Sequence, residues 1–246
     1  MTNSILRDAA PVHAGRTSAA RRTGVDWMLV VAIAAVAGTF VRAMLFTPVE
    51  ARQGPAQKIF YVHAPSAWVA FLAFGLVAVA GLLYLWLRDL RLDRIAESSA
   101  EVGLAFTTIV LTTGPLWGKP VWGTWWTWDA RLTLTLFLWF IYAGYLVLRG
   151  AVEDRAQRAR YAAVLGALGA LLIPFIHLSV YLFRTLHPQP IVMKPSAPSL
   201  PGEMLTTLLL AFASFTLLYV ALLRARYRLA TIRDERDDAV AAEDAG

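Results

Sequence analysis

The stretch Trp122-Gly123-Thr124-Trp125-Trp126-Thr127-Trp128-Asp129-Ala130-Arg131-Leu132-Thr133 decides how the rest of this chain is read. Five of the nine tryptophans lie between Trp117 and Trp128. A belt of indole rings at a membrane interface accounts for isolated residues such as Trp27, Trp68, Trp86 and Trp139. It does not account for five rings crowded beside an acid and a base. Such a surface suits a flat, largely apolar ligand with charged edges.

Apolar runs flank this stretch on both sides. The 246 residues are 58% hydrophobic and the mean hydropathy is +0.54. A soluble domain would have too little polar surface at that composition. A helix needs about 20 apolar residues to cross about 30 Å of hydrocarbon. Six runs meet that description, roughly Trp27–Phe46, Ala67–Leu87, Ser98–Leu116, Leu132–Leu148, Tyr161–Phe183 and Glu203–Leu223. The sequence therefore predicts an all-α polytopic membrane protein, a single integral membrane domain over residues 1–246. Flexible tails are expected at about 1–25, where His13 lies, and at 228–246. A tryptophan-rich loop is expected at about 117–131, with Gly114 and Pro115 closing the third span. Pro174 is expected to kink the fifth span.

Six spans place both termini on one side, together with the turns near residues 88–94 and 149–160. That side carries sixteen of the 23 Lys and Arg residues and the other side carries seven. Basic residues favour the cytoplasmic side of membrane helices, so both termini are expected in the cytoplasm. The same asymmetry explains the net charge of +6 without a nucleic-acid partner. The chain has no cysteine, which excludes disulfides, thiolate ligands and thioether attachment of a cofactor.

Haem fits the aromatic surface, and the chain offers imidazoles for its iron. His63 precedes the second span and His187 follows the fifth, so both fall on the outer face with the tryptophans. They are either axial ligands that clamp a ring above the loop or two unrelated loop residues. Trp117, Trp122, Trp125, Trp126 and Trp128 would form the aromatic surface around Gly123. Asp129 either caps the fourth span or orients an indole N–H or Arg131. Arg131 either snorkels to the interface or, like Lys119, neutralises a propionate. His177 lies inside the fifth span, as a hydrogen-bonded bundle residue or as a secondary haem contact. Glu101 is either interfacial or a buried functional acid.

The pattern Trp-Gly-x-x-Trp-x-Trp-Asp-x-Arg-Leu-Thr resembles the WWD signature of haem-handling membrane proteins, in the form found in the CcmC family of cytochrome c maturation. The likeness extends to Phe60-Tyr61-Val62-His63-Ala64-Pro65-Ser66-Ala67-Trp68 and to Thr185-Leu186-His187. Larger lyase-type relatives carry Trp-Asp-Pro-x-Glu-Asn instead. Two departures stand out: Leu182-Phe183-Arg184 replaces an aromatic pair and Asn, and Thr135 replaces a glutamate. The resemblance implies a non-covalent b-type haem with His63 and His187 as axial ligands, at the periplasmic face of the bacterial inner membrane. It also implies delivery of haem to the chaperone CcmE, alongside the CcmA and CcmB transporter subunits and the small membrane protein CcmD. Delivery is transfer rather than turnover, so an enzymatic activity is not expected. The alternatives are a haem lyase acting on apocytochrome, a membrane permease, and a structural scaffold. The chain has no Gly-x-x-x-x-Gly-Lys-Ser/Thr loop for nucleotide.

Overall fold

The computed structural model describes residues 25–244 except 184, 190, 193 and 195; the expected N-terminal tail with His13 lies outside these residues. Asp26 opens the first helix by accepting the Leu29 N–H at 3.3 Å, and α1 runs Trp27–Val41 with a π-helical turn at Arg42–Phe46. A 3₁₀ turn at Pro55–Ile59 leads into α2, Phe60–Leu87, and then follow α3, Leu90–Trp122, and α4, Ala130–Ala151. The fifth span is divided into α5, Arg155–Ala170, and α6, Leu172–Leu182, and the sixth is α7, Gly202–Asp244. Among the described residues, six helical segments are long and apolar enough to cross a membrane. No strand occurs among the described residues.

Several boundaries differ from expectation. Helix α3 begins at Leu90 and α5 at Arg155, ahead of the expected Ser98 and Tyr161, and the loop expected at about 117–131 is confined to Gly123–Asp129. The third span does not stop at Pro115: α3 passes through Pro115 and Pro120 and ends where Gly123 takes a left-handed φ of 79°. Each internal proline removes one backbone bond and disfavours a helix by about 3 kcal/mol. Burial of Trp117, only 8% exposed, works in the opposite direction on the same turn. The second span likewise begins earlier, so His63 sits within the first turns of α2 and Pro65 lies inside the helix. The C-terminal stretch from 228, expected as a tail, is helical as far as Asp244. Its Asp234 is buried and paired with Arg94 at 3.0 Å. Pro174 behaves as expected. It cannot donate to the Ala170 carbonyl, and the helix breaks at Leu171, between α5 and α6.

Helix α2 is the central element and packs along α3, α5 and α7. Phe74 of α2 and Tyr142 of α4 stack at 3.6 Å, and the Tyr142 hydroxyl donates to the Gly166 carbonyl at 2.8 Å. The Ser99 hydroxyl lies 2.8 Å from both the Ala73 carbonyl and the Tyr219 hydroxyl, which ties α3 to α2 and α7. Gly103 allows α3 to approach α2 closely. A Cβ there would lie 2.7 Å from Phe74 Cε1 and 2.9 Å from Ala73 Cβ. Overpacking a filled core costs about 1–3 kcal/mol. Gly103→Ala should therefore lower the apparent Tm in detergent. An unchanged Tm would show that the Phe74 ring yields without strain.

The ends of the bundle differ in chemistry. At one end, Arg149 is buried and binds Asp93 through two bonds of 2.6 and 2.9 Å and Glu97 at 3.1 Å. Arg233 also reaches Glu97, at 2.8 and 2.9 Å, and Glu101 pairs with Arg226. Glu101 is thus part of an ion-pair network on the same end as the α2–α3 turn. At the other end, the buried Lys58 ammonium donates to the Ala43 carbonyl at 2.8 Å, and to those of Thr47 and Pro48. This holds the start of α2 against the end of α1. About 20 residues separate Asp93 from Thr113 along α3, or about 30 Å of helix, the thickness of the hydrocarbon layer.

Candidate haem site

The Lys58 end of the bundle gathers residues 47–54, the tryptophan-rich loop and the segment after α6. Trp117 donates from Nε1 to Gln53 Oε1 at 3.0 Å, which joins α3 to the first loop. Asp129 joins the other two. Its carboxylate accepts the Leu132 N–H at 3.0 Å, capping α4, and the Thr127 hydroxyl at 3.1 Å. It also accepts the Leu186 N–H at 3.4 Å, one residue before His187. The capping reading of Asp129 is therefore what the geometry contains, with the His187 segment held by the same side chain.

The chain brings His63 and His187 together from α2 and the post-α6 segment. Their ring centroids are 6.5 Å apart and the rings are inclined at 35°. Both are half-buried. His187 Nδ1 lies 2.9 Å from the Pro188 carbonyl. A carbonyl only accepts, so Nδ1 carries the proton and Nε2 keeps its lone pair. His63 Nδ1 lies 2.9 Å from Thr113 Oγ1, whose own proton is directed to the Ile109 carbonyl at 2.7 Å. The threonine oxygen therefore accepts from Nδ1–H, and Nε2 of His63 is free as well. Burial, with the nearby Arg131 guanidinium, lowers the His187 pKa to about 4 against the opposing Pro188 bond. The ring is thus neutral at pH 7, the form that binds metals.

The aromatic residues divide into two groups. Trp117 is buried, meets His63 edge-on at 5.8 Å, and lies 6.2 Å from Trp122. Trp122 packs over Gly118, where a Cβ would come within 3.3 Å of its ring. Trp125 and Trp128 are 57% and 75% exposed, so an indole surface remains open at this end. Trp126 meets Trp128 edge-on at 5.6 Å. Gly123 supplies the left-handed turn out of α3, and Lys119 donates to its carbonyl at 3.0 Å. Lys119 is thereby engaged in closing the helix. Arg131 Nη1 and Trp126 Nε1 are both buried and find no partner among the described residues. An unmatched guanidinium N–H near the imidazoles suits a carboxylate such as a propionate. His177 packs against Tyr181 on α6 at 6.4 Å and is not drawn into the histidine pair.

Two aspects of this site were not visible in the sequence. Thr113 lies within the expected third span, but its contact with His63 on α2 has no mark of its own in the sequence. Gln53 joins the site through Trp117, which is helical only because α3 continues past Pro115. The spacing of Thr113 and Trp117, four apart on one helical face, was the available signal.

Among the described residues no group of three or more His, Cys, Asp and Glu side chains could hold a bare metal ion. A porphyrin fills four positions of its iron and needs only two from protein. With metal–nitrogen bonds of about 2 Å and about 1.1 Å from nitrogen to ring centre, two axial imidazoles lie about 6 Å apart. The observed pair is close to that separation.

A family model described as Heme exporter protein C matches residues 9–242. The chain belongs to the heme exporter protein C family. It is 42% identical over 188 residues to Heme exporter protein C of Bradyrhizobium diazoefficiens, covering 76% of this chain and 70% of the relative. Identity to the Haemophilus influenzae protein of that name is 39% over 197 residues, 79% of each chain. The Rhodobacter capsulatus protein is 32% identical over 226 residues, 92% of each. The matched residues include His63, His187 and all of the six helical segments except the last two residues of α7.

Proposed function

We propose that this chain takes part in haem export for cytochrome c maturation. It binds b-type haem between His63 and His187 and passes it to a periplasmic chaperone of the CcmE type. The histidine pair carries this reading: two imidazoles from distant segments have ring centres 6.5 Å apart, and each is held at Nδ1 with Nε2 available to hold the iron. Arg131 would neutralise a propionate. The open indoles of Trp125 and Trp128 would cover the porphyrin and then yield it to the partner. The site's position near the helix ends supports collection and release at the membrane surface. The excess of basic residues at the opposite end supports cytoplasmic termini in the bacterial inner membrane. CcmA, CcmB and CcmD fit as companions on the family resemblance.

The test is direct transfer. The protein is purified with haem, mixed with purified haem-free CcmE, and separated again. Haem is expected to move to the chaperone. Haem that remains wholly on this chain, under conditions where CcmE accepts haem from solution, would overturn delivery.

A further inference from the structure

Three residues of α3 form the seat of His63. Thr113 receives its Nδ1–H at 2.9 Å. Gly114 lies below the ring, where a Cβ would stand 3.4 Å from His63 Cε1. Trp117 closes the side edge-on at 5.8 Å. Thr113 differs from the other two because it makes two bonds in series. Its hydroxyl proton is committed to the Ile109 carbonyl at 2.7 Å, with the Val110 carbonyl at 3.4 Å as a second acceptor. The oxygen is left with only lone pairs to offer His63. A free hydroxyl could serve the imidazole as donor or acceptor. This one, held by its own helix, serves only as acceptor.

We propose that Thr113 is a positioning residue that sets the tautomer of His63. It fixes the proton on Nδ1, leaves the lone pair on Nε2, and increases the donor strength of that nitrogen. The inference rests on the haem reading for its purpose and on the hydrogen-bond chain for its content. Partners that hold the second nitrogen of a ligating histidine orient the ring and raise its basicity. His187 obtains the same service from its neighbour Pro188. The two ligands are therefore held differently. The His63 tautomer depends on a side chain 50 residues away on another helix, whereas that of His187 is set within its own segment. A substitution can remove the first support without touching the second.

The experiment uses the full-length protein with ¹⁵N-labelled histidine. With only four histidines, the His63 signals are assigned by their loss in His63→Ala. In the haem-free parent, nitrogen chemical shifts should report His63 protonated at Nδ1. Thr113→Val keeps the shape and removes the acceptor, so the signals should move toward the Nε2–H form. Thr113→Ser keeps the acceptor and should match the parent. Haem affinity should fall roughly tenfold or more in Thr113→Val, as for other outer-shell partners of metal-binding histidines, and return in Thr113→Ser. A parent His63 protonated at Nε2, or signals unchanged in Thr113→Val, would overturn the proposal. Failure of the parent to bind any haem would overturn the haem reading instead, while the nitrogen signals still decide what Thr113 does.

Discussion

Replacing either imidazole should strip the purified protein of most of its haem. Loss of an outer-shell partner alone costs about 10–100-fold in affinity, so loss of the ligand itself should leave less than about a tenth of the parent's haem. His63→Ala and His187→Ala are informative as a pair. His63 lies inside α2, where alanine is a good helix former. His187 lies in the segment after α6 and has no helix to disturb. Both variants should keep the parent's elution profile and helix content. Haem that survives in the variants should show a spectrum with one axial ligand missing. Parent-like haem content in both would remove the histidine pair from the site, whatever the family resemblance.

The largest loss of stability is expected at the opposite end, from Arg149→Ala. The Arg149 guanidinium is buried, as are both carboxylates that it binds, Asp93 and Glu97. Its removal leaves Asp93 without an ion-pair partner among the described residues, while Glu97 keeps Arg233 at 2.8 Å. Breaking a buried pair by deleting one member costs about 3–5 kcal/mol. A marked fall in apparent Tm in detergent is the expected result. Removing both charges should be far milder, because the penalty arises from the stranded carboxylate. Arg149→Leu with Asp93→Asn should thus recover much of the loss. A double variant as unstable as the single one would mean that shape, not charge, holds this end together.

Much of the fold was legible because hydrophobic length is a strong signal. The first span was placed at Trp27–Phe46, where the structure has it. Pro174 marked the break in the fifth span through its missing N–H. Proline misled elsewhere. Pro115 and Pro65 carry the same missing donor, yet both lie within helices. Local backbone chemistry predicted a stop at Pro115 and a start near Pro65; packing of Trp117 and the α2–α3 contact carried both helices past these points. Thr113 was placed on its helix, but its contact with His63 was not legible, because it joins two helices through side chains 50 residues apart. The meeting of His63 with His187 followed from counting spans, since an even number of crossings returns the chain to the same face. The partner of Asp129 could not be read that way. Its bond to the Leu186 N–H joins residues 57 apart through a backbone group that carries no sequence signature.

The last helix has a consequence for the whole assembly. Its 43 residues make a rod of about 65 Å, roughly twice the hydrocarbon thickness. It is fastened at three heights. Thr207 meets Arg42 and Thr47 near the top, Tyr219 meets Ser99 in the middle, and Asp234 meets Arg94 and Arg155 at the base. A rod pinned at three points cannot tilt about one of them without pulling on the others. Force applied to its protruding foot would therefore travel the full depth of the bilayer as the movement of a single lever.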